Sequence, residues 1–309
     1  MQDGGRRAII AAFFANLGIA AAKGVGFLIT GSAALLAEAG HSLADTGNQA
    51  LLLLGGKRAR RQPTEAHQFG FGTERYFWAF VVALVLFSGG GLFALYEGIN
   101  KLIHPHETES IGIAIAILGA AAILEGFSLH TAVTEVKHVK PRDMSYWRFI
   151  RTAKHPELPV VLLEDVGAEA GLLLALFGVV LSSATGNPRW DAVGSIGIGL
   201  LLTVIAVILA IRMKALLIGE SASSVEQNAV VAALTAAPRV RRVIHIRTLH
   251  LGPDELLVAA KLEFDLDMSM ADLAVAVDSA EACVRAAVPA VGLIYIEPDL
   301  YRAAPSPLL

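Results

Sequence analysis

The chain has 309 residues, 55% of them hydrophobic and 17% charged, with a formal net charge of −3. Soluble domains carry about 25% charged residues, so this composition argues against a purely soluble protein. The hydrophobic content excludes a disordered chain, and the small negative charge lacks the basic footprint of a nucleic-acid binder. The single cysteine, Cys283, permits neither an internal disulfide nor a cysteine-based zinc cluster. The class that remains is an integral membrane protein with a modest soluble domain.

A bilayer core of about 30 Å needs about 20 mostly apolar helical residues. Six stretches meet that demand: Ala8–Ile29, Ala33–Gly56, Phe77–Ile103, Ile111–His130, Leu158–Ser183 and Ala192–Ile211. Arg6 and Arg7 before the first run resemble a signal-peptide start. The run is too long for a signal core of about 7–15 residues, however, so it is read as a retained span. Glycines inside the spans, among them Gly24, Gly26 and Gly89-Gly90-Gly91, suit close helix contact in a membrane bundle.

Basic residues set the orientation. Lys57, Arg58, Arg60, Arg61 and Arg75 follow span two; Lys137, Lys140, Arg142, Arg148, Arg151 and Lys154 follow span four. The alternate loops carry Lys101 and Arg189. The positive-inside rule places the basic loops and both termini in the cytoplasm, and the inner or plasma membrane of a bacterium is the expected host.

From about residue 219 the pattern changes, which gives two domains, 1–218 and 219–309. Ser221–Thr235 is a predicted helix with Ser221, Ser223 or Ser224 as cap. Val243–Leu251 alternates, with Val243, His245 and Arg247 on one side and Ile244, Ile246 and Thr248 on the other. Gly252-Pro253-Asp254 is a turn, Glu255–Asp265 a second strand, Ser269 the cap of a helix to about Ala287, and Leu293–Glu297 a last strand. The order αββαβ predicts a small α+β, ferredoxin-like sandwich.

Polar groups within the spans carry the functional signal, because an ionised group at mid-bilayer costs about 3 kcal/mol. Span two holds His41 and Asp45, one turn apart on one face, with Asn48 a further turn along. Span five holds Glu164, Asp165 and Glu169; Asp165 and Glu169 share a face and Glu164 points about 100° away. Imidazole nitrogen and carboxylate oxygen are zinc ligands. Neutral His41 with Asp45 and Asp165 supplies −2 against a divalent cation, which lowers the burial penalty for both. The competing structural reading is a buried network in which His41 bonds Asp45, and Lys23 or Asn16 holds the span-five acids. Glu38, Glu97 and Glu125 are further intramembrane acids: Glu38 is read as part of the same aqueous path as His41, and Glu97 and Glu125 as proton relays or as packing groups with water access. His104, His106, Glu107 and Glu109 are read as an ordinary solvated loop, the alternative being weak collection of released metal, and His245 and His250, five apart and on opposite sides of a strand, as surface or structural residues.

His41-Ser42-Leu43-Ala44-Asp45 resembles the second-helix metal motif of the cation diffusion facilitator transporters. Leu28–Glu38 is similar to the family's approach to that motif, and His67–Arg75 to the segment entering its third helix. His41–Gln49 with Leu163-Glu164-Asp165 resembles most the divergent branch containing a mammalian mitochondrial zinc transporter. The resemblance implies six spans, a cytoplasmic αββαβ domain, and zinc or a related divalent metal moved against protons by a homodimer in a lipid bilayer. The residues themselves place the expected site between spans two and five, and alternating access around it is the expected mechanism. Matching on Asp165 and Gly171 places Val161 where the family has its other span-five ligand. The fourth ligand is then Glu169, Glu164, Asn48 or water. The family's site in the loop after span two keeps His67, but Phe71 stands where a second histidine is common; in the soluble domain His245 remains, but Lys261 and Tyr295 stand where ligand histidines can occur, so a metal-sensing soluble domain is not implied. The other readings are an intramembrane metalloenzyme and a transport-inactive partner subunit. No His-Glu-x-x-His pair or nucleophile elbow is present, so an enzyme is not expected.

Overall fold

The computed structural model describes residues 2–105 and 110–302; for 2–13 and 15 it describes the backbone alone. The chain divides into two compact units, 1–58 with 74–214, and 59–73 with 215–309.

The first unit is helical. Helix α1 (Gln2–Thr30) ends where Gly31 takes φ +63°, a left-handed conformation that costs glycine little. Helix α2 (Ala33–Ala59) follows at once, its first turn closed by Ser32 Oγ, which accepts from Leu35 N. The third passage runs from Glu74 to Ile103 as α3 (Glu74–Val85), a π-helical segment (Leu86–Leu92) and α4 (Phe93–Ile103). Then come α5 (Ile111–Val139), a short α6 (Tyr146–Thr152), α7 (Glu157–Thr185) and α8 (Arg189–Ile218). Helix α6, capped by Ser145, lies in a stretch read from sequence as loop. Among the described residues, four passages are long and apolar enough to cross a membrane: Glu74–Ile103, Ile111–Val139, Glu157–Thr185 and Arg189–Ile218. Described residues of α1 add a shorter apolar stretch, Asn16–Thr30. Helix α2 is long enough, but Glu38, His41, Asp45, Asn48 and their polar neighbours dilute its apolar character. Its N-terminus is held by Asp191 of α8, whose Oδ2 accepts from Ala33 N at 3.0 Å, a carboxylate at the positive end of a helix dipole.

Small residues set the helix spacing. A Cβ on Gly199 of α8 would stand 2.8 Å from the carbonyl oxygen of Gly91, so the π-helical segment and α8 touch backbone to backbone. Helix α5 packs along α7 and α1.

The second unit holds α9 (Ser224–Ala236), β1 (Val240–Gly252), β2 (Glu255–Phe264), α10 (Met270–Ala287) and β3 (Val291–Pro298), in the expected αββαβ order. The sheet order is β1-β2-β3, antiparallel then parallel. Ser223 and Ser269 form capping boxes with Glu226 and Asp272. Leu256, Val258, Leu262 and Phe264 of β2 alternate inward against Val230 and Leu234 of α9 and Ala280 and Val284 of α10, giving the two-layer core. The alternation expected along β1 is corrected by a register shift between Val243 and His245. The extra residue changes the phase, so Val243 and Ile246 pack on the core while His245 and Arg247 are exposed. In the same unit Gly72 lies so close to the β1 end that a Cβ would stand 2.5 Å from the carbonyl oxygen of Leu251.

Candidate metal centre

Helix α2 supplies three of the six candidate ligands. His41 and Asn48 are fully buried and Asp45 nearly so. The four-residue spacing brings His41 Nε2 to 3.4 Å from Asp45 Oδ2. Neither His41 ring nitrogen has a hydrogen-bond partner among the described residues, nor do Asp45 Oδ1, Asn48 Oδ1 and Gln49 Oε1. Leaving one such buried group unsatisfied costs about 1–3 kcal/mol. Four such residues within two and a half turns of one helix concentrate buried nitrogen and oxygen lone pairs on α2. The π-helical segment runs beside it: a Cβ on Gly90 would lie 3.9 Å from His41 Nδ1. Such irregular turns concentrate at functional sites.

Helix α7 supplies the other three, and its rotation decides their roles. The acid that meets α2 by hydrogen bond is Glu164: its Oε1 accepts from Asn48 Nδ2 at 2.6 Å, with both residues buried. Asp165 is half-buried and turned to α5, where Ser128 Oγ donates to its Oδ2 at 3.1 Å. Glu169 shares that side; its Oε2 would lie 3.9 Å from a Cβ on Gly126 of α5. Asp45 nonetheless lies within electrostatic reach of Glu164, Glu125, Lys23 and Asp165. Asn48 and Glu164 are thus brought together, His41 and Asp45 stand adjacent, and Asp165 and Glu169 lie on the α5 side. Among the described residues, no three His, Cys, Asp or Glu side chains converge closely enough to chelate one ion in this arrangement. Val161 is half-buried.

Lys23 takes a different partner from the one the structural reading gave it. It does not hold the α7 acids; its Nζ donates to Glu38 Oε2 at 3.0 Å and to Ser42 Oγ at 2.8 Å. The reason lies in the spacing, since Glu38 and Ser42 are one turn apart on α2 and face α1 together. Asn16 instead lines a cleft of about 520 Å³ between α1 and α5, with Glu125 and Ser128 among its walls. Sequence reasoning missed a second fully buried pair. Lys101 Nζ meets Asp191 Oδ2 at 2.7 Å and also donates to the carbonyl of Gly31, while Asp191 Oδ1 accepts from Ser32 Oγ at 3.0 Å. A lysine and an aspartate at the margins of apolar runs were the available signal.

The remaining candidates are peripheral. His104 is exposed beyond α4, and His106, Glu107 and Glu109 lie outside the described residues. His67 stacks on Phe71 with ring centroids 4.7 Å apart. His245 is exposed and His250 buried, on opposite sides of β1.

A family model described as a cation efflux transmembrane domain matches residues 9–218. The chain is 34% identical over 244 residues to the proton-coupled zinc antiporter SLC30A9, mitochondrial, of Xenopus laevis, across 79% of this chain and 44% of that protein. It is 29% identical over 264 residues to metal tolerance protein C4 of Arabidopsis thaliana, across 85% of this chain and 58% of that one. The chain therefore spans about half the length of the curated relatives it matches. A solved MamM-CTD structure is similar at 22% identity and a TM-score of 0.24, covering 26% of this chain and 94% of that one, a likeness too slight to argue from. On the match that runs from residue 9 to residue 218, over helices apolar enough for a bilayer, the chain belongs to the cation efflux family of membrane proteins.

Proposed function

We propose that this protein carries a divalent transition metal, zinc before others, across a membrane in exchange for protons, at a site between α2 and α7. The observation that carries the reading is the set of buried donors His41, Asp45 and Asn48 on α2, with Glu164 of α7 meeting Asn48. Nitrogen and oxygen donors of this kind suit zinc. Asp165, the next residue of α7, and Glu169, one turn beyond it, lie on its α5 side and are the acids that a rotation of α7 by about 100° would bring to the ion.

Metal and proton compete for the same lone pairs, because a coordinating imidazole or carboxylate must be deprotonated. His41 binds the ion through a ring nitrogen and Asp45 through the oxygen that His41 does not approach. On the far side of the membrane, protons reach these atoms and the ion leaves. The return of the protonated site completes an exchange. The six helical passages are read as six spans with both termini cytoplasmic, and the αββαβ unit as the seat of a homodimer. The host membrane is read as a bacterial inner membrane, and no hydrolytic or other enzymatic role is assigned.

The test uses reconstituted vesicles with an imposed pH gradient and zinc as the probe. Asp45→Asn and Glu164→Gln should each abolish zinc-driven proton movement, and Asp165→Asn should reduce it strongly. Wild-type exchange in both Asp45→Asn and Glu164→Gln would remove this site from the transport path.

A further inference from the structure

We propose that Lys23 is the resident counter-cation of the metal centre: its ammonium stands in for part of the metal's charge and loosens the hold on a divalent ion, so that the ion can leave. The inference rests on the transport reading above and adds a specificity- and turnover-setting residue to it. Lys23 lies on α1, outside the donor set.

Three observations support it. Lys23 is completely buried, and its Nζ is fixed by Glu38 Oε2 at 3.0 Å and Ser42 Oγ at 2.8 Å. Those two residues flank His41 on α2, so the ammonium is locked to the helix that carries the donors. Second, its ammonium lies within electrostatic reach of His41, Asp45 and Glu125 as well as of Glu38. Third, the neighbouring helix is cut away for the pair. A Cβ on Gly171 of α7 would stand 2.6 Å from Glu38 Oε1, an oxygen with no hydrogen-bond partner among the described residues.

Packing alone does not call for this arrangement. A buried ion pair is often no more stable than apolar residues of the same volume. A methionine at position 23 would fill the same space without an ammonium to desolvate. What the ammonium supplies is charge. Without the metal it offsets carboxylates that would otherwise repel one another. With a divalent ion at His41 and Asp45 it repels the ion in a medium that screens poorly. A centre without it would bind more tightly and release more slowly.

The test measures zinc binding by calorimetry on the purified full chain and zinc uptake in vesicles. Lys23→Met should tighten zinc binding about tenfold, lower the KM of uptake and lower kcat by a similar factor. Lys23→Arg, which keeps the charge, should stay within about threefold of wild type on each measure. Lys23→Met combined with Glu38→Gln should return the affinity toward wild type, since both charges leave together. A merely structural lysine would lower the melting temperature without tightening binding. Unchanged or weaker binding in folded Lys23→Met therefore overturns the proposal, and if Asp45→Asn then loses zinc, the metal centre itself stands. If Lys23→Met does not fold, Glu38→Gln alone decides. It leaves the ammonium unopposed and should weaken binding about tenfold, and unaltered affinity there overturns the proposal. Equal zinc binding by wild type and Asp45→Asn would sink the underlying site and this inference with it.

Discussion

Asn48 Nδ2 donates to Glu164 Oε1 at 2.6 Å, joining the middle of α2 to the middle of α7 by one buried hydrogen bond. Asn48→Ala removes the donor and leaves a buried carboxylate oxygen without it. The expected cost is about 1–3 kcal/mol of stability. Zinc affinity should also fall by about tenfold, because Glu164 loses the group that aims it. Thermal unfolding and calorimetry on the same preparation check both. Full stability with unchanged affinity would show that the contact is incidental.

Gly171 is a spacing residue for the pair beneath it. In Gly171→Ala the new methyl group would lie 2.6 Å from Glu38 Oε1, so the carboxylate must shift. Overpacking of this kind costs about 1–3 kcal/mol. Gly126→Ala is the matched control, because its methyl group would meet Glu169 Oε2 at an ordinary 3.9 Å. The melting temperature should drop in the first variant and hold in the second.

The pair Lys101–Asp191 ties the end of α4 to the start of α8 and, through Ser32 and Ala33, to the turn before α2. Both side chains are fully buried. Asp191→Ala leaves the buried ammonium without its counter-charge and removes the hydrogen bonds to Ser32, Ala33 and Lys101, so it should destabilise the protein by about 3–5 kcal/mol. A double substitution, Lys101→Met with Asp191→Leu, should recover much of the loss. Denaturant unfolding followed by tryptophan fluorescence measures both.

At the exposed edge of the small sheet, the hydrogen bond from Lys261, reinforced by the Leu300 amide, holds Asp299 below the usual carboxylate range. A depressed carboxylate contributes stability above its unfolded pKa of about 3.9 and loses it as pH falls through the folded value. The end of β3 should therefore loosen only below about pH 4. Exchange of the Asp299 amide, which is bonded to the Leu262 carbonyl, reports the loosening. Lys261→Met should move the onset to higher pH; an unmoved onset would show that the bond contributes nothing there.

Much of this fold is written locally. Runs of apolar residues fixed the long helices, and Ser269 was legible as the cap of α10, whereas Ser221, Ser223 and Ser224 were equal candidates for the cap of α9, which the structure places at Ser223. The relation among Glu164, Asp165 and Glu169 was legible too, since 100° per residue separates the first from the other two. Which of those faces meets α2 was not. Helix α7 is apolar nearly all round, so its rotation depends on contacts with α5, α2 and α8 that no local pattern records. The same limit hid Lys101 and Asp191, which are 90 residues apart and each readable alone as a loop charge. The glycines Gly89, Gly90 and Gly91 signalled close packing, but the π-helical turn they allow comes from fitting α8 and His41 on either side. The bulge in β1 likewise reflects pairing with β2, which the strand's own alternation does not encode.

The most direct test of the account is anomalous scattering at the zinc edge from crystals of the zinc-loaded protein. The account predicts one peak within coordination distance of His41 and Asp45, with a carboxylate of α7 completing the shell at about 2.0–2.2 Å. Zinc bound by the intact protein without a peak between α2 and α7 would contradict it.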